Sequence, residues 1–391
     1  MGSTLQSWDH YVDLLRPAGR LVERAWKPDD EHYRADLYRQ AVMNVAWAYF
    51  LYFQSNSEHP EFMPLWNSVF LLQPNPDDVY YYAPLDARRT YRIAGTRGSV
   101  HMLNFLFGHD MIGMADPPAG ATGYVDDKEL QVQPDGTFEL LFGTTRPEGY
   151  TGHWYQLDPR VDHVIVRMRS YDWGNEVDPR LWIESLDAPL QKRRMGIEEI
   201  HQRLERALTL PERFTRLWLD MQNDFKAEVG VNKFRLEDYN NLAGVPNQLY
   251  GWAMFEVAED EALILETDLP EVRPYWNIQI NDPYFNAVEY VYRQASTNGH
   301  YARIEADGKY RGVVSHVDPG VHNWLDTGGF AEGTIYLRWL QCSSAPVPAL
   351  KRVKLADLRN HLPAETPVVS AEERRQLLRA RRIGAQIRRR W

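Results

Sequence analysis

The apolar positions of this chain fall into four successive regimes. Residues 4–56 carry a helical rhythm: Tyr33, Leu37, Ala41, Val45, Tyr49 and Phe53 recur near helical spacing, and Asp30 stands where a helix can begin. From Pro74 to Asp172 the rhythm shortens to runs between Gly, Pro and Asp, among them Tyr91–Ile93, Val100–Phe107, Phe138–Phe142 and His163–Met168. These runs have strand length, and Asp135-Gly136 ahead of Thr-Phe-Glu-Leu marks a hairpin turn whose glycine accepts positive φ. Helical spacing returns over 183–228 with Ile197, Ile200, Leu204 and Leu208, then Phe214, Trp218, Met221 and Phe225; Pro211 predicts a break between two helices. After the Asn-rich stretch Tyr239–Gln248, a second strand region runs from Tyr250 to Leu340, with its own turn at Asp307-Gly308.

These regimes predict a multi-domain α+β protein built of two antiparallel β-sandwich units, jelly-roll-like, with added helical segments. The pattern places an N-terminal helical segment over 1–70 and a first sandwich over 71–182. A helical segment over 183–245, a second sandwich over 246–350 and a tail over 351–391 follow. Two strand regions that each hold an Asp-Gly turn hint at duplication, although no residue-level repeat is visible. In the tail, Ser370 and Glu373 match a capping box, and Leu377, Ile383, Ile387 and Trp391 fall near one helical face.

Composition narrows what these elements can serve. Lys and Arg number 44 against 54 Asp and Glu, a net charge of −10 that argues against a general nucleic-acid surface. The total hides a split: residues 370–391 hold eight Arg and two Glu, or +6, so the remainder carries −16. A basic amphipathic helix can bind nucleic acid or anionic lipid, yet an acidic body suits it better as a docking face, its own or that of another copy in a homo-oligomer. With 13 Trp, 22 Tyr and 14 Phe, disorder is excluded for most of the chain, and Trp and Tyr suit pockets with a few polar groups. The single cysteine, Cys342, excludes a disulfide scaffold. The uncharged stretch Gln40–Ser57 is densely apolar only over Ala41–Phe53, short of the roughly 20 residues a bilayer helix needs, so no membrane span is expected. MGSTLQSWDHYVDLL shows no secretory signal, and the expected location is cytoplasmic.

The densest chemistry lies between Ser315 and Asp326, in SHVDPGVHNWLD. On a strand, His316 and Asp318 project from one face. Three readings stay open there: a metal site completed by a distant His300, His101 or His109, a metal-free acid–base or binding site, and a structural turn in which Asp318 bonds the amides beyond Pro319-Gly320. Asp77 and Asp78 beside Tyr80 form a second cluster, with a solvated loop start as the plain alternative. Arg293 could hold a carboxylate, sulfate or phosphate, or an internal salt bridge. Nucleotide-binding glycine loops, a GxSxG elbow, CxxC and HExxH are absent from the sequence.

Several blocks resemble the domain-of-unknown-function 1214 family (DUF1214): YWNIQI from Tyr275, YVYRQASTN from Tyr290, SHVDPGVHNWLDTGG and GTIYLRW. Upstream, Asn75-Pro76-Asp77 and YRIAGTRG from Tyr91 resemble its longer members, so the likeness covers 74–350 in scattered blocks. It implies β-sandwich units with an added helical portion and no defined activity. Family members are often bacterial, in organisms that degrade lipids, steroids and aromatics, which implies a small apolar substrate. Proline often replaces His322 in the family pattern, which weakens a His316/Asp318/His322 metal triad.

The expected function is an enzyme acting on a small hydrophobic metabolite, cyclic or aromatic (terpenoid-, steroid- or lipid-like), by acid–base chemistry as a lyase, isomerase or hydrolase. His316 would be the acid or base and Asp318 its orienting partner. Arg293, Asn298, His300, Asn323, Asp326 and Asp77 would contact polar substrate atoms, with Trp324, Trp276 and Tyr80 as walls; no cofactor or metal is expected. The alternatives are a metal-dependent oxygenase or hydrolase on the same sandwich, and a non-catalytic ligand-binding or assembly protein.

Overall fold

In the computed structural model, which describes residues 5–239 and 244–388, helices α1 (Trp8–Asp13), α2 (Arg16–Arg20) and α3 (Glu31–Tyr49) come first. Asp30 begins α3 by accepting from the amides of His32 and Tyr33 at 2.8 and 3.3 Å. The face α3 buries is not the expected stripe. Leu37, Gln40, Asn44, Trp47 and Ala48 point inward, while Val45 and Tyr49 are exposed. The rotation follows the amides: Asn286 Nδ2 donates to Gln40 Oε1 (2.6 Å), and Asn44 Nδ2 donates to Thr215 Oγ1 (3.3 Å).

The first sandwich comprises β1 (Met63–Pro64), β2 (Asp78–Pro84), β3 (Tyr91–Thr96), β4 (Met102–Gly108), β5 (Ala121–Asp126), β6 (Thr137–Gly143), β7 (Trp154–Gln156), β8 (His163–Arg169) and β9 (Arg180–Ser185). Its sheets have the orders β1-β2-β8-β4-β5 and β7-β6-β3-β9. Helix α4 (Ile197–Val229) leads to the second sandwich. This unit holds β10 (Lys233–Glu237), β11 (Gln248–Glu256), β12 (Glu261–Thr267), β13 (Tyr275–Asn281), β14 (Ser296–Asn298), β15 (Tyr310–Ser315), β16 (Trp324–Asp326), β17 (Glu332–Leu340) and β18 (Ala349–Lys354). Its orders are β10-β11-β17-β13-β14 and β16-β15-β12-β18.

Adding nine to each strand number of the first unit reproduces the second, so the two sandwiches share one topology. Even the parallel pairs correspond, β6 with β7 and β15 with β16. The Asp135-Gly136 and Asp307-Gly308 turns precede the equivalent strands β6 and β15. Each unit fills its interior in the same way. Val79, Phe105 and Val166 meet Ile93 and Phe142 in the first, and Ala253, Ile278 and Leu337 meet Leu263 and Val314 in the second.

The two five-stranded sheets turn their other faces toward each other. Every residue of β8 and β17, their central strands, is buried. Part of the space between is filled by Trp47 of α3 and Leu210, Phe214 and Trp218 of α4, which pack on Tyr82 and Ile165 from one sheet and Trp252 and Tyr336 from the other. Pro211 lies inside α4 rather than between two helices. Leu210, Phe214, Trp218 and Phe225 continue one buried stripe past it, enough to hold a residue that costs about 3 kcal/mol in a helix interior.

Strands overrun the expected domain boundaries. β1 lies within 1–70, β9 ends at Ser185, β10 falls inside the 183–245 segment, and β18 crosses residue 350. β10 and β18 are sheet edges carrying Lys233 and Arg235, or Lys351, Arg352 and Lys354. Charge on an edge strand blocks pairing with other chains, and it also makes such a strand read as loop or tail.

Helix α5 (Ala371–Ile387) starts at the Ser370/Glu373 capping box. It docks on its own chain through arginine, not through the expected apolar face: Leu377, Ile383 and Ile387 are exposed, and Trp391 lies outside the described residues. Arg374, Arg381 and Arg388 recur every seven residues. Arg374 donates to Asp318 Oδ2 (2.9 Å) and Gln294 Oε1 (2.6 Å). Arg381 donates to the carbonyls of Tyr290 (2.8 Å) and Ser296 (3.0 Å) and lies 4.4 Å over the Trp173 ring. Arg388 reaches the first sandwich, at Asp77 O, Met168 O (both 2.8 Å) and Asp178 (3.1 Å). No helix among the described residues is long and apolar enough to cross a membrane.

Candidate functional site

Strand alternation decides what faces the seam between the sandwiches. In β8 (HVIVRMR), Val164, Val166 and Met168 enter the sandwich core, so Ile165, Arg167 and Arg169 face the seam. In β17, Tyr336 and Arg338 do the same. Cross-strand register then produces matching rows. Arg167 is paired with Tyr80 of β2 on one side and Asn104 of β4 on the other. Arg338 is paired with Tyr250 of β11 and Asn277 of β13, the equivalent strands. Each guanidinium lies over its own tyrosine, Arg167 at 5.6 Å from the Tyr80 ring centre and Arg338 at 5.8 Å from that of Tyr250. The repeat missing from the linear sequence is therefore present in the register, as two Tyr–Arg–Asn rows.

The tyrosine and arginine of each row, Tyr80 with Arg167 and Tyr250 with Arg338, line one cavity of about 80 Å³ at the seam. Trp66, Trp218 and Tyr239 add aromatic wall, and Arg169 and Gln248 add polar lining. Arg169 is committed elsewhere: its Nε and Nη2 donate to the two oxygens of Asp78 at 2.6 and 2.7 Å. Burial pushes the Asp78 carboxyl up, but Arg169 first, then Arg167 and Arg338, outweigh burial and hold it below its ordinary value. Arg338 donates to neutral groups: Gln279 Oε1 (2.6 Å), the Gln73 carbonyl (3.0 Å) and Asn277 Oδ1 (3.4 Å). The indole N–H groups of Trp66 and Trp218 and the Gln73 Oε1 atom are buried without a hydrogen-bond partner.

The cavity rim is strained. Phe70, Leu72 and Gln73 have φ of 59°, 60° and 37°, in the region non-glycine residues avoid. Such residues cost about 1–3 kcal/mol each, and here long-range bonds hold them. Gln73 N donates to Phe285 O (2.6 Å), Ala287 N donates to Phe70 O (3.1 Å), and the Gln73 carbonyl takes the Arg338 bond.

Of the site residues expected from the sequence, Tyr80 alone is among the described residues that line this cavity. Asp77 sits just behind it, buried, accepting from Tyr275 Oη (2.6 Å), Asn298 Nδ2 (2.8 Å) and Trp173 Nε1 (2.8 Å). Burial raises its pKa more than those three donors lower it. Asn298 thus ties the second sandwich to the first. The other residues lie away from the cavity. His316 Nε2 donates to Val257 O (3.0 Å), with Thr327 Oγ1 3.3 Å from Nδ1. Asp318 accepts from Gly320 N (2.9 Å) and pairs with Arg374, so the DPG block is a turn that receives α5. Arg293 pairs with Asp326 at 3.0 Å, and Asp326 also accepts from Gly328 N (2.8 Å). Asn323 bridges Arg303 O (2.7 Å) and Arg311 O (2.9 Å), while Trp324 lies under the Arg374 guanidinium at 5.3 Å. Trp276 packs on Trp339 and Tyr310 in the second core, and His300 lies 3.7 Å from Asp172. His322 Nε2 donates to Tyr301 O (3.0 Å). Among the described residues no group of three or more His, Cys, Asp or Glu side chains is placed to hold a metal ion.

What the sequence reading passed over is Arg167, Arg169 and Arg338. The available signal was an arginine inside an otherwise apolar strand run, HVIVRMR and TIYLRWL, where a charge must have a specific buried use.

No family model matches the chain, and no curated protein matches its sequence. A solved structure of an uncharacterized protein from Burkholderia cenocepacia is 29% identical over 89% of this chain and 97% of its own, with a TM-score of 0.83. The whole two-sandwich architecture is therefore shared with that protein. A Vibrio parahaemolyticus protein of solved structure covers 88% of this chain and 100% of its own at 12% identity, with a TM-score of 0.47 that carries no conclusion.

Proposed function

We propose that this chain binds a small organic molecule in the seam between its two sandwiches and works as a ligand-binding protein. The observation that carries the reading is that two equivalent Tyr–Arg pairs, Tyr80 with Arg167 and Tyr250 with Arg338, are turned onto one cavity. Aromatic walls with a few convergent polar groups are the usual make-up of a small-molecule site, and a domain seam is a usual place for one. Among the described residues, those lining the cavity include no Asp, Glu, His, Cys or Lys. Tyr80 and Tyr239 are poor proton donors near neutrality, because burial pushes both well above their ordinary value. Binding therefore fits this lining better than acid–base turnover does. His316, whose ring nitrogens already meet Val257 and Thr327, fits a structural place in the second sandwich. Membership of the DUF1214 family and a bacterial source belong to the same proposal, resting on the sequence blocks that suggested them, as does a cytoplasmic setting, resting on the single cysteine.

The test reads the indole N–H signals of ¹⁵N-labelled protein, assigned with Trp66→Phe, Trp218→Phe and Trp324→Phe, during titration with small aromatic and aliphatic compounds. The expected result is that Trp66 and Trp218 shift first and saturate together. Shifts confined to Trp324 and Trp276 would move the site to the DPG block and end this reading.

A further inference from the structure

Helix α3 is apolar on two sides. From Gln40 to Ser57 the chain carries no charged residue, a span that takes in the second half of α3 and the π-helical turn Phe50–Gln54 that continues it. One side of α3 is buried through Leu37, Trp47 and Ala48. The other exposes Tyr38 (52%), Val42 (68%), Val45 (36%) and Tyr49 (54%). Tyr49 also stacks on Phe53, with ring centres 6.1 Å apart, which carries the apolar surface one turn further. A single exposed apolar residue needs no partner, but a continuous apolar stripe on a helix that is apolar behind as well marks a surface that is covered.

The order of residues says what covers it. The four exposed positions are spaced 4, 3 and 4 apart, the a/d pattern of a helix–helix seam. That pattern reads the same in both directions. In YRQAVMNVAWAY, Tyr38 mirrors Tyr49, Ala41 mirrors Ala46 and Val42 mirrors Val45 about a point between Met43 and Asn44. A two-fold axis through that point sets each residue against its mirror image on a second copy, which is what a self-complementary interface requires. We infer that two copies of this chain pair antiparallel through the outward face of α3. Val42 of each copy packs on Val45 of the other at the centre, between two Tyr38–Tyr49 layers about 16 Å apart at 1.5 Å per residue. This pairing is independent of the seam site.

Charge favours the same occupant. The chain carries −10 overall, so two copies repel except where neither presents a charge, and this face is such a place. At the ends of the stripe the charges match. The antiparallel register brings the exposed Arg34 beside the second copy's Gln54, whose Nε2 lies 3.4 Å from Glu61 Oε2, so a cation meets a carboxylate at both ends. Area sets the strength. At about 200 Å² for a fully exposed tyrosine, the four side chains present roughly 400 Å² per copy. A pair then buries about 800 Å² through them, short of the roughly 1,200–2,000 Å² of a standard interface, and its dissociation constant is on the order of micromolar.

Sedimentation velocity on the full chain, from about 1 to about 200 µM, tests the pairing. The expected result is a shift from the 45.6 kDa monomer to twice that mass as concentration rises, retained in about 0.5 M NaCl. Val42→Arg sets two like charges beside the axis and should weaken the dimer tenfold or more, while Arg382→Glu on α5 should leave it unchanged. Cross-linking reads the orientation. Tyr38→Cys and Tyr49→Cys proteins, each also carrying Cys342→Ser, are treated with a short bismaleimide alone and mixed. The mixture should form a covalent dimer and neither protein alone should. Far-UV circular dichroism confirms that each variant is folded; if Val42→Arg does not fold, the cross-linking decides alone. A monomer at every concentration, or a dimer untouched by Val42→Arg, would overturn the inference. So would a dimer lost in salt and with Arg382→Glu, which would move the contact to α5. Tyr38→Cys protein that links to itself, or a mixture that does not link, would overturn the antiparallel pairing.

Discussion

Asp78 and Arg169 show how a buried residue can be expensive to change. The pair is almost wholly inaccessible, and Arg169 also lies 4.1 Å over the Tyr275 ring. Asp78→Asn would leave a guanidinium buried without its carboxylate, and urea denaturation should register a loss of about 3–5 kcal/mol. A loss below about 1 kcal/mol would mean that Arg169 is answered by another group. Asp282 behaves oppositely. Burial raises its carboxyl pKa to about 6, against the amides of Tyr284 and Asn286 and the Arg39 guanidinium, which favour the ionised form. A raised acid binds its proton more tightly in the folded state, so its contribution is present at low pH and is lost as pH rises from about 4 through 6. Asp282→Asn should therefore gain on the wild type as pH rises across that window in parallel denaturation curves; a gap that moves the other way would refute the assignment. Neither residue was legible as buried in the sequence. Asp77 and Asp78 sit in a Pro-Asp-Asp run that reads as a solvated turn, and their partners Arg169, Tyr275 and Asn298 arrive from 91 to 221 residues away.

At the scale of elements, periodicity located the helices and strands well and their inward faces poorly. The apolar stripe of α3 and that of α5 both face partly outward, because buried amides in one case and buried arginines in the other do the docking. Apolar spacing finds a helix; it cannot show that the surface awaiting it is made of carbonyls and carboxylates. The α5 contacts make a contrast that is easy to measure. Arg381→Ala removes donors from Ser296 and Tyr290 and the stacking on Trp173, so it should cost about 2–4 kcal/mol of unfolding free energy. Arg382→Ala, with a ring contact to Tyr292 at 5.5 Å, should cost less than about 1 kcal/mol. Equal costs would show that α5 is held by general charge attraction rather than by its buried face. Charged edge strands posed the same kind of difficulty: β10 and β18 escaped notice because the residues that protect a sheet edge are those of a loop.

For the molecule as a whole, the sequence suggested two sandwiches from paired Asp-Gly turns, and the structure adds that their topologies coincide strand for strand. The likeness of the two units lies in register and not in residue order, so only the folded chain shows Tyr80–Arg167–Asn104 matched by Tyr250–Arg338–Asn277. The halves are joined by polar bonds as well as by α3 and α4: Asn75 Nδ2 donates to Tyr275 Oη, and Asn277 Nδ2 donates to Asn75 Oδ1, both at 2.7 Å. Breaking the seam would strand these buried groups, so the sandwiches should unfold together. Calorimetry should give one transition coincident with loss of tryptophan fluorescence, whereas two separated transitions would show that the seam is weak. The central claim is that this seam binds a small organic molecule. A crystal structure of the protein saturated with a small aromatic compound that shifts the indole signals tests it most directly. The account predicts ligand density in the cavity lined by Tyr80, Tyr250, Trp66 and Trp218; the compound bound at the DPG turn, or anywhere else with the seam unchanged, would contradict it.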